Sequence, residues 1–132
     1  MPITTTVFNE IIDSIPKSPT LNLSQLGLTM DDLDRFIEVL RDHPDVTRLD
    51  LTGNLLGDGC LKSLVKLNHV RHLILVANKI TDSVIHDFIK IPSLTSLSLN
   101  LNELSDLAAK PLAALPNLLS LSVTARTLNQ IK

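Results

Sequence analysis

Apolar and polar residues alternate along this chain in short bursts that return at a fixed interval. Leu49-Asp50-Leu51, Leu73-Ile74-Leu75 and Leu97-Ser98-Leu99 stand 24 residues apart, and each is followed by an asparagine (Asn54, Asn78, Asn102) and then an aliphatic residue (Leu56, Ile80, Leu104). A diverged copy, Leu121-Ser122-Val123, follows 24 residues on, and another, Leu21-Asn22-Leu23, lies 28 residues before the first. Alternation over three positions predicts a short strand with one face buried and the other wet. A period in this range predicts a solenoid in which no unit buries its apolar side alone. The asparagine falls where the chain leaves the strand, and its amide can donate to and accept from turn peptides that the stack would otherwise leave unpaired.

Between the strands the pattern is helical. Phe8, Ile11, Ile12 and Ile15 form one stripe over residues 6–15, with Thr6 as the expected N-cap and Pro16 and Pro19 as stops. Residues 1–17 are therefore expected to cap the first repeat, and 18–132 to form about five repeats in a single domain. Thr29 and Asp32 make a capping-box start for a helix that buries Leu33, Phe36, Ile37 and Leu40. Its acidic residues, Asp31, Asp32 and Asp34, read as solvated helix surface near the positive end of the dipole rather than a metal site. Later outer segments align in ladders: Cys60, Val84 and Ala108; Leu64, Phe88 and Leu112; Leu67, Ile91 and Leu115. Asp58, Thr81 and Ser105 are their expected N-caps, and Pro111 predicts a short or broken fourth segment.

The pattern L-x-x-L-x-L-x-x-N-x-L is filled by Val46, Leu49, Leu51, Asn54 and Leu56, and again by Val70, Leu73, Leu75, Asn78 and Ile80. Leu94, Leu97, Leu99, Asn102 and Leu104 fill it a third time. The chain thus resembles the leucine-rich repeat family over about residues 18–132, with Leu26 and Arg126 in place of the asparagine in the outer copies. The resemblance implies an α/β fold: a right-handed leucine-rich repeat solenoid, parallel strands on the concave face and helices on the convex face. It also implies a non-enzymatic protein–protein interaction module, and in size the chain is similar to short bacterial effectors of this family that act in host cells.

Composition narrows the partner class. A net charge of −2 with three Phe and no Trp or Tyr supplies neither a basic stripe nor stacking platforms, so no nucleic-acid partner is expected. No apolar run is long enough to span a membrane, and one cysteine forms no internal disulfide, as expected of a reducing compartment. Met1–Glu10 lacks the basic and apolar regions of a signal peptide, so a cytoplasmic site, or delivery to a host cytosol, is expected. No cofactor, metal or catalytic residue is expected. Cys60 falls on a core ladder, and His69 and His72 do not share a metal face. An enzyme using Cys60 or a histidine is the remotest alternative.

The outward strand positions form three columns. Most of their residues are small and polar, but Ile74 and Val76 are apolar. Set among Arg48, Asp50, His72 and Asn100, they are the expected partner-binding residues. The rival is that β-branched side chains there merely favour the strand. A self-assembling or structural repeat protein is the alternative function, with a weak homodimer through edge strand 118–123 beside Leu112, Leu115 and Leu128.

Overall fold

A computed structural model describes residues 3–15 and 18–124. Five three-residue strands form one sheet in chain order: β1 (Thr20–Asn22), β2 (Arg48–Asp50), β3 (His72–Ile74), β4 (Ser96–Ser98) and β5 (Ser120–Ser122). All pairs are parallel, and the register repeats without slip, so that Leu21, Leu49, Leu73, Leu97 and Leu121 stand side by side. Each crossover carries an outer segment: α2 (Met30–Leu40), then α3 (Cys60–Leu64), then a 3₁₀ helix (Asp82–Lys90), then a 3₁₀ turn (Asp106–Ala108) running into α4 (Ala109–Ala113). This is the expected solenoid, with strands lining the concave face and outer segments backing them; parallel crossovers of this kind are right-handed.

The core lies between these layers. Leu49, Leu51, Leu75 and Leu99 from the sheet and Phe36, Ile37, Leu64 and Phe88 from the outer side are sealed from solvent. The ladders meet there, with Val84 and Leu115 half-buried at their margins. α1 (Thr5–Ser14) lies on the first repeat: its Phe8 ring sits 4.8 Å from that of Phe36, with the Arg35 guanidinium 4.1 Å above Phe8. Its cap is Thr4, whose hydroxyl accepts from Val7 N, and not Thr6.

The asparagines close the turns. Asn54 Oδ1 accepts from Leu26 N and Leu28 N, both at 3.1 Å, while Nδ2 donates to the carbonyls of Leu23 and Leu51. Asn102 does the same two layers on, accepting from Asn78 N and Ile80 N and donating to Leu75 and Leu99. Leu26 has no side-chain amide, and its backbone N–H is served by Asn54 of the next repeat. Arg126 lies outside the described residues. The turns also demand left-handed backbone on either side of the asparagine: Ala77 has φ 58° and Lys79 φ 60° around Asn78, and Gly53 and Leu55 flank Asn54 in the same way. Only glycine adopts this conformation without steric cost.

Asp58 and Asp32 are placed differently from the sequence reading. Asp58 does not cap α3, which starts after Gly59 with no side-chain cap. It accepts instead from Thr81 N at 2.7 Å and Thr81 Oγ1 at 2.6 Å in the next turn. Asp82 repeats this on Ser105 N and Oγ, while Thr81 and Ser105 themselves cap their segments as expected. In the capping box of α2, Asp32 is buried rather than solvated: Oδ2 accepts from Thr29 N and also from Ile3 N at 3.2 Å, tying the N-terminal segment to the first repeat. Asp34 accepts from Ser63 Oγ. Of the three acidic residues, Asp31 and Asp34 are exposed as expected, and only Asp32 is buried.

Candidate partner-binding face

The inner face is built by the repeat itself. With odd strand positions fixed in the core, Arg48, His72, Ser96 and Ser120 fall in one row, and Asp50, Ile74, Ser98 and Ser122 in the next. A third row follows from the hydrogen bonds just past the strands, Gly53 N to the Val76 carbonyl and Ala77 N to the Asn100 carbonyl. Arg48 and His72 are therefore neighbours, as are Asp50 and Ile74. Val76 stands two residues beyond Ile74 on the same side, with Asn100 across from it.

Ile74 and Val76 are half-buried, not fully exposed as a solvent-facing column implies. Branched side chains on a sheet shield one another and the backbone beneath them, leaving a low apolar rise. To one side are Arg48 and Asp50. To the other are the serines of β4 and β5, which offer little relief. Asp50 is partly committed, since its Oδ1 accepts from Thr52 N at 3.0 Å and Thr52 Oγ1 at 2.6 Å. Asn22 holds Ser24 in the same way one strand earlier. The signal for these turns is an Asn or Asp two residues before a Ser or Thr, which a reading by strand alternation passes over. Asn100 Nδ2 donates to Ser122 Oγ, so it bridges strands as well as facing outward. Arg48 has no carboxylate partner among the described residues.

The other chemical groups are scattered. Cys60 is sealed from solvent, and burial, reinforced by the Asp58 carboxylate, pushes its thiol up to about 12. A thiol so placed is protonated and shielded, and we expect alkylation in the native protein to be at least about a hundredfold slower than in urea. Native labelling as fast as in urea contradicts the placement. Burial also holds the His69 imidazole below its ordinary pKa, and His69 lies beneath the inner face whereas His72 lies on it. Among the described residues no three His, Cys, Asp or Glu side chains gather as a metal site.

A leucine-rich repeat family model matches residues 90–113, which run from the end of the Asp82–Lys90 segment through β4 and its asparagine into α4. No curated protein matches the chain. No described helix is long and apolar enough to cross a membrane.

Proposed function

We propose, from the leucine-rich repeat match and the five-strand solenoid around it, that this chain is a non-enzymatic interaction module whose concave face binds a partner protein. Ile74 and Val76 form the apolar anchor. Arg48, Asp50, His72 and Asn100 form the polar surround that sets orientation. The carrying observation is the pair of branched apolar side chains on the central strand of a face otherwise made of small polar residues. Interfaces concentrate apolar anchors at their centre and polar groups at their rim. The reading includes action as a bacterial effector inside host cells, for which stronger capture from host lysate than from source-cell lysate is the expected result.

Affinity capture with wild type and Ile74→Asp tests the proposal. The variant is expected to stay folded, losing no more than about 1 kcal/mol of strand preference, yet to lose the partner retained by wild type. Leu107→Asp, on the outer side where Leu107 is 78% exposed, is expected to capture normally. Equal capture by Ile74→Asp and wild type overturns the inner-face reading.

A second reading has its own observation. Leu121 and Val123 on and beside β5 are 41% and 37% exposed, against a cleft of about 360 Å³ walled by Ala108, Leu112 and Ala113. Leu112 itself is buried, as its place on the core ladder predicts, so the apolar material offered here is the strand and not the outer helix. Leu128 lies outside the described residues. Pairing of two copies through this strand predicts a concentration-dependent dimer in sedimentation, lost in Val123→Pro; a monomer throughout excludes it.

A further inference from the structure

Beneath the inner face, where each loop enters its strand, a groove of about 660 Å³ crosses four successive turns of the solenoid. Short-ligand sites are commonly about 300–1,000 Å³. Pro44, Pro92, Pro116 and Leu119 give it apolar walls, and Asn68, His69 and Arg71 stand in its middle. The polar groups towards its far end are already committed. Ser93 Oγ donates to the Val70 carbonyl at 2.7 Å, Thr95 Oγ1 to that of Arg71, and Asn117 Nδ2 to that of Pro92 at 3.0 Å.

The middle is not committed. Arg71 is exposed, and among the described residues its guanidinium meets no carboxylate; no acidic side chain lines the groove. His69 Nε2 is closed off from solvent and has no hydrogen-bond partner. A sealed polar atom without a partner is costly, and native proteins seldom leave one without a use.

We infer that this groove binds an extended segment of a partner protein carrying an acidic side chain between apolar ones. The carboxylate pairs with Arg71, whose planar fork suits two parallel hydrogen bonds. The segment's apolar residues lie on the prolines and Leu119 and pass over His69. Four strands are about 14 Å across, which about four extended residues span. This site is separate from the concave face and does not rest on that assignment.

Selection of a displayed random heptapeptide library on the full chain tests the inference, with wild type, Arg71→Glu and Ile74→Asp as parallel baits. Peptides with an acidic residue flanked by apolar ones are expected to be enriched at least about tenfold on wild type and Ile74→Asp, and not on Arg71→Glu. Arg71 is exposed, so the charge reversal should fold normally, which its melting curve checks. On adding a selected peptide, the imidazole ¹⁵N signal of His69 is expected to shift. Its glutamine or asparagine counterpart is expected to bind at least about tenfold more weakly. Enrichment without acidic residues, enrichment kept by Arg71→Glu but lost by Ile74→Asp, or an equal His69 shift with inorganic phosphate alone each overturns it.

Discussion

Asn78→Ala is expected to lower the unfolding free energy by about 3 kcal/mol, the upper end of the cost of one stranded buried polar group. The side chain is fully buried and ties the preceding layer to its own. Its Oδ1 accepts from Leu56 N at 3.2 Å, and its Nδ2 donates to the carbonyls of Leu51 at 2.9 Å and Val76 at 3.2 Å. Alanine removes all three bonds and leaves their backbone partners unpaired. Asn54→Ala and Asn102→Ala are expected to behave alike, since each holds the same position one turn away. Urea midpoints decide the matter. If all three variants unfold with wild type, these amides do not hold the turns.

Phe88→Ala is expected to cost more, about 3–5 kcal/mol, as large aromatic-to-alanine changes in packed cores do. Phe88 is sealed from solvent on the third outer segment, in the ladder with Leu64 and Leu112, and lies close to Ile91, Leu94 and Leu115. Its removal leaves a cavity in the middle of the stack, where short segments on both sides have little freedom to close it. Ile89 is 53% exposed on the same segment, and Ile89→Ala should stay within about 0.5 kcal/mol of wild type. Similar urea midpoints for the two variants contradict the packing described here.

The strands were legible because each repeat states them in the same terms. Leu49, Leu73 and Leu97 share one spacing and end in one row. The outer side was less legible for a reason of length. The first crossover is four residues longer and holds α2, whereas the 24-residue repeat has fewer residues to span its convex side. The 3₁₀ form rises about 2.0 Å per residue against 1.5 Å for an α-helix, so it covers the distance with fewer residues. Left-handed backbone at Ala77, Lys79 and Leu101 left no mark, because the residue types there do not advertise it; only Gly27, Gly53 and Gly57 do. Asp58 reads locally as a cap residue, while its partner, Thr81, lies 23 residues away, as Ser105 does from Asp82. At the inner face, alternation placed the side chains but not how far neighbouring branches would cover Ile74 and Val76. The groove at Arg71 stayed hidden because its walls come from residues that precede the strands in four different repeats.

The central claim is that a partner protein lies on the concave sheet. A photo-crosslinking residue substituted for Ser98, in register with Ile74 on the neighbouring strand, reports on that directly, with the same residue in place of Leu107 as the outer-side control. Irradiation in lysate is expected to join one discrete protein to the position-98 variant and not to the position-107 variant, with the band lost when Ile74→Asp is added. A discrete adduct from position 107 with none from position 98 contradicts the account.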